Sequence, residues 1–172
     1  MALGKGGPNE MNVDASTDDP DLADGAALLA ARFELGLCSH ADVVAWADRI
    51  IARTERPPID VIDLSLTRPG DERVPELLER LGSAARPQAV RRVFLDLQRS
   101  LQAGQISVPD TIRLLWKFLR RHPRIADDAI ETFLYWADDE YDLIEQGHVD
   151  RTHADLQKDL EDELQRASGA CE

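Results

Sequence analysis

Large apolar residues recur three and four positions apart through most of residues 20–164, the spacing of one face of a helix. Glycine, proline and serine break the pattern into short segments. Asp19-Pro20 is a start signal, an acidic cap followed by proline at the first helical position. Leu28, Leu29, Phe33 and Leu35 follow, and Gly36 stops the first helix. Ser39 with Asp42 three residues on predicts a capping box, with the shorter Asp in place of the usual Glu. Val43, Trp46, Ala47, Ile50 and Ile51 supply the apolar face of the second helix, which Arg56-Pro57-Pro58 ends.

Residues 57–70 admit a short strand or a short buried helix, with Ile59, Val61, Ile62, Leu64 and Leu66 as the apolar positions. A lone strand makes no sheet, so an irregular or helical connector that plugs the core is favoured. Helical spacing resumes at Val74, Leu77, Leu78 and Leu81, closed by Gly82. Pro87 opens a fourth helix faced by Val90, Val93, Phe94, Leu97 and Leu101. After Gly104 and the plug residue Ile106, Ser107 and Asp110 cap a fifth helix with Ile112, Leu115, Trp116 and Leu119 inward. A sixth is expected from about Ala126 to Gln146, with Ile130, Phe133, Leu134, Ala137, Tyr141 and Ile144 inward. The last begins near Asp150. Its stripe of Leu156, Leu160 and Leu164 is narrow, as suits a peripheral helix or one that docks on a partner. Gly36/Ser39, Gly104/Ser107 and Gly147/Asp150 read as one recurrent stop-and-cap punctuation. The expected fold is all-α: a single-domain bundle of about seven helices with short Gly/Ser-capped turns, spanning residues 20–168. Residues 1–19, rich in Gly, Asn and Asp, read as a disordered tail, and 169–172 as a short C-terminal one.

At 172 residues with 43% apolar content, the chain is long enough and apolar enough for a real core. No apolar run reaches the length of a membrane span. Cys38 and Cys171 lie far apart, which argues against a disulfide framework and fits a reducing cytoplasm. The net charge of −13 is unevenly spread. Residues 127–163 carry 14 acids against two bases, whereas residues 80–124 carry ten bases against two acids. So negative a whole argues against general nucleic-acid binding, where Lys and Arg must neutralise phosphates. The basic and acidic segments either face each other or form separate solvated faces.

Chemistry-bearing motifs are sparse. Glu145-Gln146-Gly147-His148 matches half of a di-iron pattern, but only one copy exists and it contains a helix-ending glycine. His148 and His153 lie near carboxylates, the makings of an adventitious zinc site rather than a functional one. In Cys38-Ser39-His40 the serine reads as a cap and the cysteine as a plug, so no nucleophile is assigned. Asp138-Asp139-Glu140 lacks the glycine of a calcium loop, and the GKGG at residues 4–7 has no strand before it. Trp46-Ala47-Asp48 and Trp136-Ala137-Asp138 read as core tryptophans with outward acids, or else as a paired surface feature. Arg113, Lys117, Arg120 and Arg121 form a basic stripe on the fifth helix, and Arg91, Arg92 and Arg99 add charge on the fourth.

The combination G-x-C-S-x-x-D-V-V-x-W-A-D at 36–48, D-L-S-L at 63–66 and L-L-W-K-F-L…H-P at 114–123 resembles small helical bacterial proteins of unknown function. Some of these are similar to immunity proteins that neutralise toxins of competing bacteria. The resemblance implies a compact binding protein and carries no functional residue across. The expected function is therefore non-enzymatic: an acidic immunity-type inhibitor of a basic toxin or effector, needing no cofactor. Its acidic face is Asp127, Asp128, Glu131, Asp138, Asp139, Asp142 and Glu145. The alternative is a regulatory adaptor that binds an acidic partner through the basic hairpin of the fourth and fifth helices, masked by the acidic C-terminal helix. A metal enzyme built on Glu145, His148 and His153 is the third reading.

Overall fold

The computed structural model describes residues 20–125 and 128–169. Among them are eight helices and no strand: α1 (Pro20–Glu34), α2 (His40–Arg53), α3 (Ile59–Ser65), α4 (Val74–Leu81), α5 (Pro87–Gln102), α6 (Val108–Arg121), α7 (Asp128–Glu145) and α8 (His153–Gly169). The expected all-α bundle is present, with one more helix than the seven expected. The connector at 57–70 contains α3, which starts after Pro58 and buries Val61 and Leu64 three residues apart. A helix bonds its own backbone, which a strand without a neighbour cannot do. The tail expected at 1–19, the Asp19 cap, Ala126, Asp127 and residues 170–172 lie outside the described residues.

The glycine punctuation has one geometry. Gly36, Gly104 and Gly147 all take positive φ, at 68°, 65° and 67°. In each case the next N–H reaches back over the turn: Leu37 to Arg32 O at 2.8 Å, Gln105 to Ser100 O at 2.9 Å, His148 to Leu143 O at 2.9 Å. These are Schellman closures, and the left-handed residue at their centre favours glycine. Ser39 and Ser107 then cap α2 and α6 by accepting from the N–H of Asp42 and Asp110. The third copy departs from expectation. Asp150 is not the cap: Thr152 accepts from the Asp155 N–H while the Asp155 carboxylate accepts from the Thr152 N–H at 2.9 Å. Thr152-His153-Ala154-Asp155 thus repeats Ser39-His40-Ala41-Asp42, and the intervening loop is two residues longer.

α1 packs on α4 and α5, α2 on α3, α3 on α4, and α8 on α5, with α7 and α6 alongside α8. α1 joins the bundle through small residues: Ala23, Ala26, Ala27, Ala30 and Ala31 are all buried. The approach is so close that a Cβ added at Gly82 would lie 2.1 Å from the Ala23 carbonyl oxygen and 2.8 Å from the Ala27 nitrogen. Gly82 is therefore required by the α1–α4 crossing and not by its own extended backbone. Arg32 ties α1 to α5 through Asp96 (2.6 Å), and Glu34 accepts from His122 at the end of α6 (2.9 Å).

The C-terminal helix is not peripheral. Leu156, Leu160 and Leu164 are completely buried, mainly against α5. A helix built into the core cannot serve as a detachable mask over the basic hairpin.

Candidate functional site

The most distinctive surface is the outer side of α7. Ile130, Leu134 and Ala137 turn inward, and Glu140 joins them, 9% exposed, with Arg151 Nε 3.5 Å from its carboxylate. The opposite side carries Tyr135, 64% exposed, beside Trp136 at 36%. Residues three, four and seven positions away on a helix share a face. For Tyr135 these are Thr132 and five acids, Asp128, Glu131, Asp138, Asp139 and Asp142. None of the five carboxylates forms an ion pair with a described residue. They occupy 15 residues of helix, about 21 Å of its length, so negative potential concentrates around one exposed ring.

The aromatic side chains are held, not loose. Tyr135 meets Trp116 of α6 edge-on, with ring centroids 4.5 Å apart. Trp136 leans on Phe133 at 5.4 Å and carries the Arg151 guanidinium over its ring at 5.2 Å. Arg151 is itself fixed by Asp159. Rigid aromatics with polar neighbours are the residues that anchor protein interfaces. Of the seven acids expected to form a docking face, five surround Tyr135. Glu145, at the end of α7, is bound by His153 Nε2 at 2.9 Å, and Asp127 lies outside the described residues.

The seven basic candidates do not share one surface. Arg113, Lys117, Arg120 and Arg121 line a cleft of about 670 Å³ with Trp116 and Asp138. Arg113 is paired with Asp110, Arg121 with Glu34, and Arg120 lies over Trp116 at 5.7 Å. Lys117 pairs with no described residue. Arg99 belongs elsewhere, in a cleft of about 610 Å³ between α1, α2 and α5, where Asp96 holds it at 3.5 Å. Arg91 and Arg92 are exposed on α5 and line neither cleft.

The remaining candidates are separated by the fold. Burial, followed by the nearby Asp42 charge, pushes the Cys38 thiol up to about 11, so it stays protonated at neutral pH. The Ser39 hydroxyl donates to Asp42 at 2.7 Å, and the His40 ring meets Thr67 at 3.0 Å. The three are adjacent in sequence but face different partners. The His153 ring meets Tyr141 at a tilt, with centroids 5.1 Å apart, while His148 is exposed in the turn. Among the described residues, no three His, Cys, Asp or Glu side chains converge as a metal site. Trp46 is half-buried and packs against the edge of the core, whereas Trp136 is not a core residue. Trp46 lines the α1–α2–α5 cleft, and Trp136 is exposed. Sequence reasoning missed that cleft, because its walls come from three helices whose residues show no common spacing. It also missed the inward Glu140, although its position three residues after Ala137 and four before Ile144 put it on the apolar face.

No described helix is long and apolar enough to cross a membrane. Comparison of the chain with protein-family models, curated proteins and solved structures gives no match.

Proposed function

We propose that this chain is a non-enzymatic interaction protein that docks a basic protein on the outer face of α7. In its sharper form it is an immunity-type inhibitor. The carboxylates of α7 would occupy the positive groove in which a toxin or effector holds its own anionic substrate. The observation that carries this is the placement of exposed Tyr135 at the centre of five carboxylates that form no ion pair with a described residue, Asp138 alone of them facing the basic cleft of α6. Charge of one sign speeds encounter with a basic surface, and a rigid aromatic anchor slows release. The adaptor alternative has less support, because its seven cations are divided between surfaces and three of the four on α6 are already engaged.

The test is affinity capture from a lysate of the source organism, at low and high salt, with the native chain and with Tyr135→Ala as baits. The expected result is one basic protein held by the native chain at low salt and reduced by high salt and by the substitution. No specific partner, or one held equally under all conditions, contradicts the proposal.

A further inference from the structure

We propose that the cleft between α1, α2 and α5 binds a small organic monoanion, a carboxylate carried on an apolar body. The cleft shares no residue with the α7 face, so this site stands or falls independently of the protein-docking function.

Its volume of about 610 Å³ falls within the roughly 300–1,000 Å³ of small-molecule sites. Leu28, Leu29, Leu37 and the Trp46 indole provide apolar wall. Gly25 keeps that wall open: a Cβ there would lie 3.3 Å from Trp46 Nε1, at the edge that carries the N–H.

The polar groups are unbalanced in one direction. Both acids of the cleft are already committed. Asp96 accepts from Arg32 Nε and Nη2 at 2.8 and 2.6 Å and lies 3.5 Å from Arg99. Asp42 accepts from the Ser39 N–H and hydroxyl at 2.8 and 2.7 Å, closing the α2 cap. The donors are not all committed. Arg49 acts on Asp42 through its charge but forms no hydrogen bond or ion pair with a described residue, and neither does the Trp46 indole N–H. Arg99 keeps most of its guanidinium exposed, its side chain being 67% accessible. Two free donor groups and a net single positive charge, three arginines against two aspartates, call for an acceptor bearing one negative charge. A carboxylate satisfies a guanidinium fork in a planar, bidentate manner. A doubly charged phosphate would meet Asp42 and Asp96 on the same walls, and like charges at close range are unfavourable.

Trp46 reports on its own site once the other two tryptophans are removed. In a Trp116→Phe/Trp136→Phe background, octanoate is titrated against Trp46 emission, with 1-octanol as the uncharged counterpart. The expected result is a saturable change with octanoate that is at least tenfold weaker with octanol. Arg49→Gln should weaken octanoate binding at least tenfold and leave octanol unchanged. Arg49 is exposed, so this variant folds, and circular dichroism verifies it. Gly25→Leu, which fills the space beside the indole, should abolish both signals. An absence of saturable change, equal binding of octanol and octanoate, or an unaltered response in Arg49→Gln would overturn the proposal.

Discussion

α7 and α8 lie side by side and use their apolar residues in opposite ways. α8 has the thinner stripe, three leucines on an acidic rod, and buries all three completely. α7 is richer in large apolar residues, yet leaves Tyr135, Trp136 and Leu143 on the outside. α1 resembles α8 in this respect: its sequence is dominated by alanine, and seven of its 15 residues are buried. Apolar content along a helix therefore does not rank depth of burial here. What matters is whether the apolar side chains share one face. Those on α8 do, and those on α7 run around the helix. A helix with apolar residues on two sides has one side for the core and one to offer elsewhere.

Substitutions on the two helices should separate these roles. Leu160→Ala in α8 removes a fully buried side chain and should cost roughly 2–5 kcal/mol, read as a shift of the urea unfolding midpoint. An effect below about 1 kcal/mol would return α8 to the periphery. Gly82→Ala probes the other deeply buried helix, α1. A methyl group set against the Ala23 carbonyl must push the backbones apart, with an expected cost of about 1–3 kcal/mol. Thr152→Ala removes the cap of α8 and should cost about 1 kcal/mol. Asp150→Ala should change stability by less than about 0.5 kcal/mol. Tyr135→Ala on the outer face of α7 should likewise stay within about 0.5 kcal/mol while weakening partner capture.

The caps also predict a pH response. Hydrogen bonds from the Ser39 hydroxyl and N–H hold the Asp42 carboxyl below its ordinary value, and those from the Thr152 N–H and hydroxyl do the same for Asp155. Arg73 holds Asp71 down to about 2. Each folded-state value is depressed, so the stability is present above the unfolded pKa, near 3.9, and is lost as pH falls through the folded values. The unfolding midpoint should drop between pH 5 and about 2, and Thr152→Ala should show a smaller drop than the native chain.

Much of the fold was legible because its signals are local. Ser39/Asp42 and Ser107/Asp110 mark helix starts within four residues, and Gly36, Gly104 and Gly147 mark stops by their need for positive φ. α3 was ambiguous because seven residues show barely two turns of periodicity. The Ala-rich face of α1 was hidden because alanine carries little apolar signal, and the role of Gly82 depends on a neighbour more than 50 residues earlier. The acids around Tyr135 were legible as a cluster. Periodicity also put Ile130, Leu134 and Ala137 inward and left Tyr135 off that face, but the contact that holds its ring against Trp116 comes from another helix and has no signal in the spacing. The charge on residues 80–124 appeared as one basic block, but packing set Arg99 in one cleft, the four cations of α6 in another, and Arg91 and Arg92 in neither.

The most direct test of the α7 face is the rate at which the captured basic partner associates with the native chain and with the triple variant Asp138→Arg, Asp139→Arg, Asp142→Arg, each at low and at high salt. Docking on α7 predicts association at least tenfold slower for the variant at low salt, with the difference shrinking as salt screens the native charge. Equal rates and equal salt dependence for the two chains would contradict it and place the partner elsewhere on the bundle.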